Sequence, residues 1–220
     1  MPHAAAVRHL KRVDPVMRRI VESVGACLLH TRRQPNRFRA LVEAIVAQQI
    51  AWQAARTIFG RFCALYGANP TNPRGKFPTP QQVLATRPRR LRAVGLSRSK
   101  VAYIRDIAAR AASGALPLAR LGRMSDEAVI ECLTAVKGIG RWTAEMFLMF
   151  SVGHPDVLPL GDIGIQNAMR IAYKLRRTPS ADKMTRIGEP WRPYRSVACW
   201  YLWRSRRDAT GKLRKTNRKK

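Results

Sequence analysis

An all-α fold is what this 220-residue sequence predicts. Three features point there. Apolar residues recur every three or four positions through most of the chain, polar N-cap residues precede several of these runs, and no segment alternates convincingly enough to make a strand. Val13 to Leu29 carries the helical period. Phe38 to Ala47 is apolar around most of its circumference, which predicts a central buried helix. A break at Gln48-Gln49 precedes a second helix over Trp52 to Tyr66, and the Pro-, Asn- and Gly-rich stretch Ala68 to Pro80 reads as a loop. Short helices are expected near Gln81–Ala85 and Arg89–Val94. Ser97 caps a helix running to about Ala112, and Ser125, followed by Asp126 and Glu127, opens the next in the manner that the helix dipole favours.

The length suits one domain, or two lobes sharing a core. Residues 1–12 and 209–220 read as loose basic ends around a folded region, 13–208. The last ten residues hold six cations and no apolar period, so nonspecific phosphate attraction is their expected contribution. Forty-two basic residues against 13 acidic ones give a formal charge of +29, an excess that points to a polyanionic partner. The hydrophobic share of 46% argues against a disordered basic chain. No apolar run is long enough for a membrane span, and the N-terminus lacks a signal-peptide core, so a cytoplasmic or nucleoid location is expected, or a nuclear one in a eukaryote. Cys27, Cys63, Cys132 and Cys199 stand far apart without metal-ligand spacing, which predicts buried free thiols.

The densest signal is Leu133-Thr-Ala-Val-Lys-Gly-Ile-Gly-Arg-Trp-Thr-Ala144, read as helix, tight turn, helix. Gly138 and Gly140 permit positive φ and close approach of a phosphate. Ile139 can plug the angle between the helices, and the amides near Arg141 to Thr143 open a helix N-terminus that suits an anion. Lys137 and Arg141 flank the turn. Leu91-Arg-Ala-Val-Gly-Leu96 echoes this segment; it is read either as an internal repeat or as an ordinary helix C-cap. Asp162, 22 residues beyond Gly140, precedes an amphipathic helix. An N-cap role is the simple reading. A helix N-terminus also favours an ionised carboxylate, which could stabilise a cationic sugar or direct water to it.

These residues resemble those of the helix-hairpin-helix DNA glycosylases, and within them the 3-methyladenine DNA glycosylase II group in its compact form, without an N-terminal β-rich lobe. Three blocks carry the likeness: Phe38-Arg-Ala-Leu-Val-Glu-Ala-Ile-Val-Ala-Gln-Gln-Ile50, Val136-Lys-Gly-Ile-Gly-Arg-Trp-Thr-Ala-Glu145 and Trp191-Arg-Pro-Tyr-Arg-Ser196. The resemblance implies a two-lobed helical fold with the active-site cleft between the lobes. It implies Asp162 as the catalytic residue and Trp142, Trp203 and Gln48 in the base pocket, with Trp52 a further candidate from its place beside Gln48-Gln49. Gln49 and Ile50 fall where the family pushes a side chain into the vacated stack. Lys137, Gly138, Ile139, Gly140, Arg141 and Thr143 would hold the DNA. For Arg195, phosphate contact and a solvated helix start both stand.

Relatives that also cut the strand carry a lysine two positions after the second hairpin glycine, where this chain has Trp142, so a monofunctional enzyme is expected. It would flip and excise alkylated purines, of the 3-methyladenine and 7-methylguanine type, from double-stranded DNA, acting as a monomer in base excision repair. A cationic alkylated ring leaves readily and suits aromatic walls. No cofactor is required; a Na⁺ or K⁺ ion on the carbonyls of Val136 and Ile139 is implied by the family alone. The chain departs from the family at Ala51, often Ser, and at Met146 and Ile163, which some relatives fill with aromatic rings. A catalytically weak binder of distorted DNA and an oxidised-base glycosylase are the alternatives.

Overall fold

The computed structural model describes residues 3–29, 36–72 and 74–206, and every regular element among them is helical. The helices are α1 (Ala4–Val13), α2 (Pro15–Val24), α3 (Arg37–Ala47), α4 (Trp52–Ala64), α5 (Pro80–Ala85), α6 (Pro88–Ala93), α7 (Arg98–Ala112), α8 (Asp126–Thr134), α9 (Arg141–Phe147), α10 (Ile163–Ala172), α11 (Ala181–Gly188) and α12 (Arg195–Ser205). Helix α9 runs directly into a π-helical turn, Leu148–Val152. None of the described helices is long and apolar enough to cross a membrane.

The chain divides into two compact units. One is the contiguous stretch Thr31–Gly153; the other joins the two ends, Met1–His30 and His154–Lys220. In the contiguous unit α3 is the centre and packs on α4, α7 and α9. Leu41, Val42, Ile45 and Val46 are wholly buried, each such side chain contributing roughly 1.5–3 kcal/mol. The same helix buries Arg39, which the apolar pattern did not announce. Its guanidinium lies 5.5 Å from the ring centres of Phe59 and Phe77 and donates to the carbonyls of Pro70 (2.6 Å) and Asn72 (2.8 Å). One buried cation thereby fastens the irregular stretch after α4 to the core.

In the second unit α12 is the centre, packed by α1, α2 and α10. Asp14 links sequence ends here. As N-cap of α2 its Oδ1 accepts from the amides of Val16 (2.8 Å) and Met17 (3.0 Å), while Oδ2 accepts from the Trp191 indole (2.9 Å) and the Tyr173 hydroxyl (2.5 Å). Burial, then the Asp14 carboxylate, push the Tyr173 pKa well above the ordinary phenol value.

Two sequence expectations are corrected. Residues 3–12 are not loose: α1 begins at Ala4, because the alanine run favours helix and Ala6 and Leu10 find burial against α2 and the turn Glu189–Trp191. The helix expected to reach Leu29 stops at Val24, where Gly25 takes φ +83° and the Tyr201 hydroxyl binds its carbonyl. The basic tail, 209–220, lies outside the described residues. The four cysteines are free; Cys63 and Cys199 are buried, whereas Cys27 and Cys132 are only half-buried.

Candidate functional site

The hairpin forms as the glycines suggest, with a division of labour between them. Gly138 takes φ +80°, and a Cβ there would stand 2.2 Å from the Tyr103 ring. That glycine is required by the fold itself. Gly140 has ordinary extended backbone and nothing within 4 Å of the position a Cβ would take. Ile139 is buried and plugs the turn. Gly140 is the N-cap of α9 and supplies no side-chain cap; the first intrahelical bond is Ala144 N–H to the Gly140 carbonyl, at 3.1 Å. The amides of Arg141, Trp142 and Thr143 therefore precede the helix's own bonding pattern.

The cations around the turn differ. Lys137 is exposed and its backbone amide donates to Asp106 Oδ2 at 2.9 Å. Arg141 is engaged: it makes a two-pronged pair with Glu127 (2.6 and 3.2 Å) and reaches Glu145 at 3.2 Å. Hydrogen bonding to Glu127 raises its pKa further. It holds α8 to α9, so its charge is already balanced within the protein. Gln48 Nε2 donates to the Gly138 carbonyl at 2.9 Å, which places this residue on the hairpin. Gln49 follows in left-handed conformation, φ 57°, and Ile50 is 37% exposed. Trp52, at the first position of α4, is 64% exposed, and Trp142 is 49% exposed. Core packing accounts for neither tryptophan. A basic hollow lined by Tyr66, Gln82, Arg87, Arg89 and Arg90 belongs to this unit too and contains none of the predicted residues.

In the other unit Asp162 caps α10. Its Oδ1 accepts from the Ile165 amide at 2.7 Å and from the Trp203 indole N–H at 3.0 Å. The residue is 8% exposed, and its chain neighbours Gly161, Ile163 (71%) and Gly164 are exposed. A side chain on Gly164 would meet Asp162 Oδ1 at 2.9 Å and Trp203 Nε1 at 3.1 Å; glycine there leaves room for their bond. Trp203 is thus tied to the Asp162 carboxylate. Asp156, the other carboxylate of this stretch, is taken up by Arg195 (Nε to Oδ1, 2.8 Å) and Arg192 (2.7 Å). Arg195 is 15% exposed and held in that pair, so it is not the solvated side chain of the second reading. Ser196, fully buried, accepts from the Val157 amide and donates to the His154 carbonyl.

Sequence reasoning overlooked Lys100, Tyr103 and Asp106 of α7, which support the hairpin and the Gln48 turn. Their spacing of three was the available signal, since it puts them on one helix face. Burial lowers the Lys100 pKa. For Asp106, burial alone would raise the pKa; the Lys137 amide and the Arg110 guanidinium outweigh it and hold the carboxyl below its ordinary value.

An all-helical chain with this hairpin and a helix-capping aspartate beyond it defines a helix-hairpin-helix repair protein. The comparisons agree: residues 42–193 match the HhH-GPD superfamily base excision DNA repair protein family, and the chain belongs to that family. It is 35% identical to DNA-3-methyladenine glycosylase 1 of Schizosaccharomyces pombe, over 90% of this chain and 85% of that one. It is 30% identical to the alkylbase DNA glycosidase-like protein mag2 of the same yeast, over 90% and 91%. Among solved structures, the S. pombe 3-methyladenine DNA glycosylase in complex with abasic DNA superposes with a TM-score of 0.76 at 35% identity, covering 91% and 95%. A DNA-3-methyladenine glycosidase from Bacillus halodurans gives 0.78 at 38% identity, covering 90% and 87%.

Proposed function

We propose that this protein is a monofunctional DNA glycosylase that flips alkylated purines out of duplex DNA and hydrolyses their N-glycosidic bond, leaving an abasic site. The observation that carries the reading is Asp162, held in one rotamer by an amide and an indole while the chain around it stays uncovered. An N3- or N7-alkylated purine is cationic, so it departs with the bonding electron pair as a neutral base and needs no proton from the enzyme. What remains is positive charge on the sugar. The Asp162 carboxylate stabilises that charge and directs a water to C1′, taking its proton as the new C–O bond forms. Trp142 occupies the position where a strand-cutting relative would carry an amine nucleophile, which supports hydrolysis without a covalent enzyme–DNA intermediate.

In this reading the hairpin amides of Arg141 to Thr143, with Lys137, hold a phosphate, and Ile50, after Gln49, enters the stack. Trp142 and Trp52 in the contiguous unit, and Trp203 in the other, are each candidates to offer a ring to the flipped base. Gln48 acts through the hairpin rather than on the base edge. Carbonyls of Val136 and Ile139 remain the candidates for a monovalent cation, and the protein works as a monomer on chromosomal DNA.

Single-turnover release of 7-methylguanine and 3-methyladenine from methylated duplex tests the reading. Asp162→Asn is expected to slow release by a factor of about 10² or more while binding to abasic-site DNA stays within a few-fold of wild type. Full activity in Asp162→Asn removes the residue from the mechanism. Tight binding to abasic DNA with no release by wild type favours a distortion-binding protein, and a borohydride-trapped adduct favours a strand-cutting enzyme.

A further inference from the structure

Lys100 lies on α7, three residues from Tyr103 and six from Asp106, a spacing that aligns all three on one helix face. Its ammonium donates to the carbonyls of Val46 and Gln48, at 2.8 Å each. These carbonyls end α3, where backbone acceptors lack helical partners and the dipole presents its negative end. The next residue is Gln49, held left-handed at φ 57°, a conformation that L side chains rarely adopt. Ile50 follows, exposed. From the same turn, the Gln48 side chain reaches across 90 positions of sequence to the Gly138 carbonyl, at 2.9 Å. Tyr103 fills the space beneath Gly138, and Asp106 accepts the Lys137 amide while pairing with Arg110 at 3.1 Å.

One face of α7 therefore holds two things at once: the strained turn that presents Ile50 and the glycine turn that presents the hairpin amides. We propose that Lys100 is a positioning residue for base extrusion, locking the Gln49–Ile50 turn and the hairpin into one brace so that a grip on the backbone carries Ile50 into the stack. This rests on the reading of the hairpin and of Ile50 as DNA contacts. It gives Lys100 a different part from a cation that meets phosphate. An ammonium engaged with two carbonyls is not a phosphate contact, and losing it leaves the number of neutralised phosphates unchanged.

The test uses duplex DNA with a tetrahydrofuran abasic analogue beside 2-aminopurine, whose fluorescence rises on unstacking, together with single-turnover release of 7-methylguanine and the salt dependence of binding to undamaged duplex. Lys100→Met is expected to slow both the fluorescence rise and base release about tenfold, with the salt slope unchanged. Lys100→Arg, which can still donate to both carbonyls, restores both to within about twofold. Gln48→Met shows a smaller loss, and the double variant is no worse than Lys100→Met, because the two residues act through one chain of contacts. Unstacking at the wild-type rate in Lys100→Met overturns the proposal, as does a salt slope that falls by about 0.9, the signature of one lost phosphate contact. Should Lys100→Met fail to fold, Gln48→Met decides alone: unchanged unstacking overturns the brace. Wild-type protein that unstacks the reporter but releases no methylated base sinks the excision reading and leaves the brace to be scored on fluorescence.

Discussion

The contiguous unit contains two glycine turns of the same local design, and they end differently. In the first, α6 closes at Gly95 (φ +106°), Leu96 is buried, and Ser97 caps α7 by accepting the Lys100 amide at 3.2 Å. In the second, α8 is followed by Gly138 (φ +80°), Ile139 is buried, and α9 starts at Gly140 with no side-chain cap. The echo noticed between Leu91–Leu96 and Leu133–Ile139 is thus a shared backbone device: a left-handed glycine, an aliphatic plug, a new helix. Folding needs both turns. Only the one whose helix start is given no protein side chain is suited to receive an anion from outside. Between these two turns the cap, not the glycine, is the difference, and the proposed anion site is the uncapped one.

The comparison can be broken most severely at the left-handed glycines. Gly138→Ala combines a disfavoured φ with a contact 2.2 Å from the Tyr103 ring, and a stability loss of about 3 kcal/mol is expected. Gly95→Ala meets only Ile58, at 3.1 Å, and is expected to lose about half as much. Urea unfolding of the two variants measures the difference; equal losses would contradict the role given to Tyr103. Gly140→Ser gives the second turn the cap that the first already has. A gain of a few tenths of a kcal/mol is expected, with affinity for abasic-site DNA about fivefold weaker as the hydroxyl competes for the first-turn amides; unchanged affinity would show that those amides do not bind the strand. Ser97→Ala removes the cap from the structural turn. Stability is expected to fall by about 1 kcal/mol and DNA affinity to hold. The smallest effect concerns Asp106, which ties the recognition turn to α7. Its pKa is lowered on folding, so its contribution is present above the ordinary aspartate value near pH 3.9 and disappears as pH falls through the lowered one. The difference in melting temperature between wild type and Asp106→Asn should accordingly narrow below about pH 4.

Local signals were legible and distant ones were not. The helix starts at Ser97, Ser125 and Asp162 were readable because a cap acts within three residues. The glycine turns and the central α3 followed from period and composition. Helix α1 was not readable, since an Ala-rich basic decapeptide becomes structure only when the rest of its unit covers Ala6 and Leu10. Cations were the hardest to read. Arg195 looked like a surface cation because its counter-charge, Asp156, lies 39 positions away in sequence. Arg141 has Glu145 four residues on, a legible pair, but the stronger partner is Glu127. Gln48 has a protein partner that the sequence could not show, the Gly138 carbonyl 90 positions away. Charge tells that a chain seeks a polyanion. Which cations remain free to meet it depends on contacts between segments far apart in sequence.

The unit that carries Asp162 is assembled from both termini, with Asp14 bonded to Trp191 across 177 positions and Gly25 to Tyr201 across 176. On the ribosome, α1 and α2 must wait until the whole contiguous unit, Thr31–Gly153, has been made before they meet α12. The indole that steadies Asp162 belongs to α12 and is made 41 residues after it. Nascent chains can therefore complete the contiguous unit, with its hairpin, before the α12 indole joins Asp162.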